Sequence, residues 1–472
     1  MAPLPRFGRA IFVLQTTGLL LLVTTVLKVA AEWSHNPLLA GGAAAVAVAC
    51  LALLTPQVGW ARRLFVAIAL ALTAWAYVSL PDWGDAIGRA LGNMAFITAF
   101  FIALATLRNA AAGSAAIVRC GLYLANQPPG RRYLALTLGG HLFALVLNYG
   151  SISLFGSLVE RSLQAEPDPL IRRIRTRRML LAIQRGFVTT LTWWPLTFAM
   201  VMSLAVVPGS RWEGALPYCL VAAFLLGATG WALDTLFKPR NVTPPPRQPN
   251  PRGAWRSLLP LLGLLLLLIA LVGGLQATTG LRTVAVVMLV VPLLSFAWIA
   301  LQKKPPFPQD EFTASIGGRV QNFVRRELPA YAPELVLLMC AGYIGILASA
   351  LLAPLVHEGL LGGGHLSPLV LIGVLWFVPI AGQLGMNPIL SVTLVGPLLP
   401  HAEQMGVSPD LVVLALVSGW ALTGASSPFT ATNMLVGKFG GVSPLRAGLV
   451  WNGPYTLLAG LLLSAWLAFL VT

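Results

Sequence analysis

Charge is what this chain of 472 residues has least of. Asp, Glu, Lys and Arg make up 10% of it, against roughly 25% in a soluble domain. So few charges cannot solvate the surface of a water-soluble protein. Acidic residues are scarcest, at 15 against 31 basic ones. The four cysteines, Cys50, Cys120, Cys219 and Cys340, lie far apart in or beside apolar stretches. They form neither a metal-binding spacing nor a disulfide framework and read as small buried hydrophobes. The five histidines are scattered, and no Walker A pattern occurs, which argues against pumping driven by nucleotide hydrolysis within this chain.

What the chain does have is hydrophobicity. Apolar residues make up 57% of it, mean hydropathy is +0.80, and the apolar runs reach the roughly 20 residues that cross a bilayer. The expected fold is an all-α polytopic membrane protein. The net charge of +16 does not imply a nucleic-acid partner. The basic residues sit in short segments between apolar runs, where positive charge sets orientation. Examples are Arg131-Arg132, Arg172 to Arg178, Arg247 to Arg256, Lys303-Lys304 and Arg325-Arg326, with no aromatic interleaving.

That charge map threads the chain. Arg6 and Arg9 put the N-terminus in the cytoplasm. Spans are expected at 10–31, 38–55, 63–80, 93–112, 179–207, 217–237, 256–273, 280–301, 331–353, 409–438 and 447–470, about eleven crossings. The first is too long for a typical signal sequence and reads as a retained span. An amphipathic surface helix is expected near 310–328. The last crossing leaves the C-terminus in the periplasm of a bacterial-type inner membrane. Residues 132–160 have basic flanks on both sides, so they read as a re-entrant hairpin of two half-helices. Such a tip is tolerated at membrane depth only where protein or a cavity surrounds it. Residues 368–400 read as a second hairpin, entering from the opposite face. The chain thus divides into an N-terminal span (1–37), a first repeat (38–238), a Pro-rich cytoplasmic linker (239–256) and a second, inverted repeat (257–472).

The repeats carry the same polar interruptions. Asn148-Tyr-Gly-Ser151-Ile-Ser153-Leu-Phe-Gly156 parallels Asn387-Pro-Ile-Leu-Ser391-Val-Thr393-Leu-Val-Gly396. Gly186-Phe-Val-Thr-Thr-Leu-Thr-Trp-Trp-Pro195-Leu-Thr197 parallels Gly419-Trp-Ala-Leu-Thr-Gly-Ala-Ser-Ser-Pro428-Phe-Thr430. Both place Pro nine positions after Gly and Thr two after Pro. Paired interruptions in corresponding halves point to a secondary transporter's binding site.

At these residues the chain resembles the ion transporter superfamily, and within it the divalent anion/sodium symporters, the dicarboxylate and citrate carriers. The family's Ser-Asn-Thr tip triplet is here reduced to the Asn of Asn148-Tyr-Gly-Ser151 and of Met386-Asn387-Pro388. The resemblance implies a homodimer with a fixed scaffold and a transport domain that moves as an elevator.

Broken helices free backbone groups that a bound ion or substrate can satisfy. Half-helix N-termini favour anions, whereas unwound carbonyls favour cations. The candidate ligands are Asn148, Ser151, Ser153, Thr192, Thr197, Asn387, Ser391, Thr393, Thr423, Ser426, Ser427, Thr430 and Asn433. They are neutral hydroxyls and amides, suited to a small organic anion; Asn148 and Asn387 could also hold sodium. No Asp or Glu lies in either motif, so no dedicated metal site or other cofactor is expected. The competing role for each hydroxyl is to bond a carbonyl one turn back or to join helices.

Trp193-Trp194 stand where the second copy has Ser426-Ser427. Their rings either wall a cavity and touch an apolar part of the cargo or face lipid. His141 is a candidate proton carrier or a packing residue. Arg185 either attracts an anion or snorkels. Glu334, Lys438 and Asp234 read as interfacial. The function expected is a sodium- or proton-coupled anion transporter. The other two readings are the membrane subunit of a tripartite-like carrier and, needing clustered carboxylates or histidines that the chain lacks, an enzyme acting on lipid-linked substrates.

Overall fold

The computed structural model describes residues 6–112, 114–125, 127, 129–164, 166–237, 254–302, 315–355, 367–400 and 402–472. Most of the 239–256 linker, residues 303–314 and most of the loop before 367 lie outside them. The first helices are α1 (Arg6–Ser34), α2 (Pro37–Leu54), α3 (Trp60–Ser79), α4 (Trp83–Ala112), α5 (Ala115–Ala125), α6 (Pro129–Leu147), α7 (Gly150–Leu163), α8 (Pro169–Thr190), α9 (Phe198–Val206) and α10 (Trp212–Leu236). Then come α11 (Leu259–Thr279), α12 (Thr283–Leu301), α13 (Ile316–Asn322), α14 (Leu328–Ala330), α15 (Ala332–Leu355), α16 (Val370–Gln383), α17 (Pro388–Val395), α18 (Pro409–Ser426), α19 (Ala431–Gly440) and α20 (Gly453–Val471). Two π-helical turns, Phe323–Glu327 and Arg446–Trp451, interrupt them.

This is an all-α polytopic membrane protein. Among the described residues, ten helices or helix pairs are long and apolar enough to cross a bilayer. They correspond to the expected spans with one exception, 179–207. That stretch is divided between α8 and α9, and α8 begins early, at Pro169. Asp168 caps it, accepting from Leu170 N and Ile171 N, and Pro169 takes the first-turn place where no N–H is needed. Two of the arginines in its first half find acids: Arg175 pairs with Glu166, and Arg178 grips Asp234 through two bonds of 2.8 and 2.7 Å. The surface helix expected near 310–328 is, within the described residues, α13 followed by the π-helical turn Phe323–Glu327.

The chain forms two compact units, each drawn from both halves of the sequence. Unit 1 comprises Met1–Ser114, Leu268–Gly362 and Thr393–Leu398. Its helices α4 and α15 approach closely, and Asn93 Nδ2 donates to Gly342 O at 3.0 Å. Trp33 Nε1 ties α1 to Ala285 O of α12 at 3.2 Å. Unit 2 comprises Ala115–Leu267, Gly363–Val392 and Leu399–Thr472, and holds both broken helices and, except for the end of α17 from Thr393, both helix pairs that meet at the asparagine motifs.

Candidate functional site

Unit 2 builds the same device twice. In each copy a long helix packs against the first helix of a helix pair and then breaks. The break needs the glycine that opens the motif. A Cβ on Gly186 would fall 2.0 Å from Thr137 O of α6, and a Cβ on Gly419 2.5 Å from Leu375 O of α16. Only glycine allows backbones this close. Four residues on, Thr190 Oγ1 donates to Phe187 O at 2.7 Å and Thr423 Oγ1 to Gly419 O at 2.8 Å.

The residue before the proline also does one job in both copies. Trp194 Nε1 donates to Leu145 O, in the last turn of α6, at 2.9 Å. Ser427 Oγ donates to Gly382 O, in the last turn of α16, at 2.7 Å. Last-turn carbonyls have no partner within the regular helix, and each side chain supplies one, at Gly382 O beside the bond from Gly385 N. The Thr after the proline then starts the next helix. Thr197 Oγ1 donates to Trp194 O and accepts from Met200 N; Thr430 Oγ1 donates to Ser427 O. Trp194 is 1% exposed and does not face lipid; Trp193 is half-buried, its carbonyl accepting from Trp212 Nε1 at 2.9 Å.

At the ends of the helix pairs the asparagines act on their own backbone. Asn148 sits at φ 53°, the left-handed region that Asn tolerates better than most residues. Its Oδ1 accepts from Tyr149 N at 2.8 Å. In the second pair Gly385 takes the positive φ, 91°, while Asn387 Oδ1 caps α17 by accepting from Ile389 N at 2.8 Å. Ser151 and Ser391 donate to the carbonyls of Asn148 and Asn387. Ser153 is exposed and joins none of this. Thr393 falls in unit 1, where a Cβ on Gly345 would lie 1.8 Å from its Oγ1.

The remaining candidates do converge. Asn433 Nδ2 donates to Ser427 O at 2.9 Å, and Thr432 Oγ1 donates to Gly424 O. Gln184, from α8, donates to Asn433 Oδ1 at 2.8 Å and to Gly424 O at 3.2 Å. Its Oε1 accepts from Asn452 Nδ2 at 2.8 Å, and Asn452 Oδ1 accepts from Arg185 Nε at 3.2 Å. Ser426 Oγ receives Gln383 Nε2 at 3.0 Å. Gln184, Asn433 and Asn452 are all 0% exposed.

Arg185 does not snorkel. It is 5% exposed and is the one charged side chain buried among the described residues. Its guanidinium lies 4.7 Å over the Tyr455 ring, and Nη1 donates to Tyr133 Oη and Gly230 O. Its described partners include no carboxylate. His141 is half-buried and engaged through one ring nitrogen and one ring face. Thr189 Oγ1 gives its proton to Gly186 O, so it accepts from His141 Nδ1, 2.6 Å away, and the imidazole stacks on Trp193. Glu334 and Lys438 are exposed, and Asp234 pairs with Arg178.

The sequence reading missed Gln184, Asn452, Tyr133 and Tyr455. The two amides had a weak signal: Gln184-Arg185 is a polar pair inside an apolar run, and Asn452-Gly453-Pro454 opens the last span. Asn452 owes its position to the π-helical turn before it, a distortion frequent at functional sites.

Comparison with known proteins places the fold. No family model matches the chain, and no curated protein matches it by sequence. Solved structures do match it in fold, two of them as follows. MtrF of Neisseria gonorrhoeae, described as illuminating a class of antimetabolite efflux pumps, aligns with a TM-score of 0.54 at 13% identity, over 89% of this chain and 97% of its own. The YdaH transporter of Alcanivorax borkumensis, described as having an unusual topology, aligns with a TM-score of 0.53 at 15% identity, over 87% and 99%. These neighbours support a transporter-like fold and do not single out the divalent anion/sodium symporters that the motifs resemble. At such identities the likeness is one of architecture: this chain has the fold of solved membrane transporters.

Proposed function

We propose that the chain is a secondary active transporter of a small organic anion, working by elevator-type alternating access and coupled to sodium or protons. One observation carries this reading. Two helices broken in the same register stand in one unit, and the freed backbone groups of the second meet a net of neutral amides that ends on a single buried cation, Arg185. An uncompensated buried cation is costly, and an anionic cargo would relieve that cost. The neutral donors around it fix orientation without adding charge. The grouping of both broken helices in unit 2 fits a mobile carrier, with unit 1 as scaffold of a homodimer. The helix pairs α6–α7 and α16–α17 serve as re-entrant hairpins in inverted repeats, in the inner membrane. The MtrF and YdaH likenesses support transport and leave direction open to the prevailing gradients.

The test is anion exchange by the purified protein in liposomes, across a panel of organic anions, with sodium or pH gradients imposed. Gradient-driven uptake or exchange of at least one anion is expected. Asn148→Ala and Asn387→Ala are expected to abolish it while leaving the dimer intact. A wild-type protein that moves none of them under either gradient sinks the reading.

A further inference from the structure

A cavity of about 400 Å³ lies in unit 2 beside the amide net, within the size range of sites that bury small organic ligands. One stripe of α8 forms a wall: Ile174, Arg177, Arg178, Leu181 and Arg185. These residues recur at three- and four-residue intervals, so they share one helix face. Arg177 and Arg185 are eight residues apart, about 12 Å along the axis. The opposite lining is apolar apart from Tyr133 and Asp234, and includes Leu233, Phe237, Trp451 and Pro454. Three guanidiniums face one carboxylate, and that carboxylate is taken by Arg178.

The donor inventory of Arg185 points into this space. Nε and Nη1 are used by Asn452, Tyr133 and Gly230, while Nη2 makes no hydrogen bond. A guanidinium that is 5% exposed, lines a cavity and has a free Nη2 is a prepared anion site. The apolar surfaces beside it need a different partner. A compact, fully hydrated anion would leave the half-buried Leu233 and the exposed Phe237 in contact with water, with Leu181 and Trp451 buried behind them.

We infer that the cavity binds an amphiphilic anion, with its carboxylate or phosphate head on Arg185 Nη2 and its apolar body along Leu181, Leu233, Phe237 and Trp451. Such a ligand comes from two sources, a free fatty-acid-like anion or an anionic membrane lipid. As a statement about cargo the inference deepens the transport reading and rests on it; as a statement about binding it stands alone.

Octanoate is the probe, with acetate as its headgroup alone, measured by calorimetry on wild-type protein in a neutral detergent. Octanoate is expected to bind saturably and at least about tenfold more tightly than acetate, because the apolar body contributes by burial. Leu181→Trp, which fills the cavity and keeps the charge, is expected to weaken it at least about tenfold, and Arg185→Gln likewise, with Arg185→Lys recovering part. Native mass spectrometry separates the sources. An anionic phospholipid that octanoate displaces identifies a lipid site; octanoate binding to protein free of such lipid identifies a free-anion site. No octanoate binding together with no displaceable lipid overturns the inference, as does acetate binding equally well. Binding without uptake in liposomes leaves the site standing and removes octanoate from the cargo.

Discussion

The two broken helices share a plan and differ in how they are closed. Each opens on a glycine pressed against a neighbouring backbone, and each uses the residue before the proline to satisfy a last-turn carbonyl. The first break is otherwise sealed nearby: Thr189, Thr190 and Thr192 donate to carbonyls three residues back, and Trp212 takes Trp193 O. The second has local hydroxyl bonds too, from Thr423, Ser426 and Thr430, and adds amides: Asn433 of the next helix and Gln184 of α8, behind which stand Asn452 and Arg185. Local hydroxyl bonds are part of a helix's own geometry and move with it. A side-chain amide brought in from another helix can be exchanged for a ligand group, because both make hydrogen bonds of similar worth. The asymmetry therefore assigns support to the first break and responsiveness to the second.

The most severe way to break this comparison is Gln184→Leu. It strands Asn433 Oδ1 and Asn452 Nδ2, which now receive or give a bond to Gln184, while Gly424 O keeps Thr432 Oγ1. A buried group left unpaired costs about 1–3 kcal/mol, so with two such groups a total loss of about 2 kcal/mol or more is expected, against about 1 kcal/mol for Thr190→Val in the first break. Thermal unfolding in detergent measures both. Gln184→Leu and Asn433→Leu should also be non-additive, by about 1–2 kcal/mol in a double-mutant cycle, because they share a bond. Additive losses would mean that the amides do not act as one net.

The two glycines come next. Gly186→Ala places a methyl 2.0 Å from Thr137 O, and Gly419→Ala places one 2.5 Å from Leu375 O. Overpacking of this kind costs about 1–3 kcal/mol, with the larger loss expected at Gly186, where the approach is tighter. Equal unfolding temperatures for wild type and Gly186→Ala would show that the helix contact is not rigid.

Much of this plan was readable in the sequence, for a physical reason. A helix that breaks in a bilayer must satisfy its freed groups, and the residue types able to do so, Gly, Pro, Thr and Asn, stand out against an apolar background. The doubling of Gly186 to Thr197 in Gly419 to Thr430 is therefore visible without coordinates. The net was not visible, because its members are single amides separated by about half the chain or more: Gln184 meets Asn433 and Asn452 only after folding. The Trp194–Ser427 mismatch misled for a related reason. Indole N–H and hydroxyl O–H are interchangeable as donors to a carbonyl, and nothing in their sequence similarity says so. Ser153 and Thr393 followed the alternation of the motif but left the site, because one surfaces and the other packs against Gly345 of α15.

That interchangeability gives the finest test. Trp194→Phe keeps the ring and removes the donor to Leu145 O; Ser427→Ala removes the donor to Gly382 O with almost no change in volume. Each substitution removes one bond and costs about 1 kcal/mol, with the smaller loss expected at Ser427, since Gly382 O keeps Gly385 N. The losses should be additive in the double variant, since the two bonds share no partner. Transport should then separate what stability does not. Ser427→Ala alters the end of the responsive break and should slow anion exchange, whereas Trp194→Phe, in the sealed break, should leave exchange near wild type. Equal slowing by both would erase the functional difference between the breaks while keeping their structural equivalence.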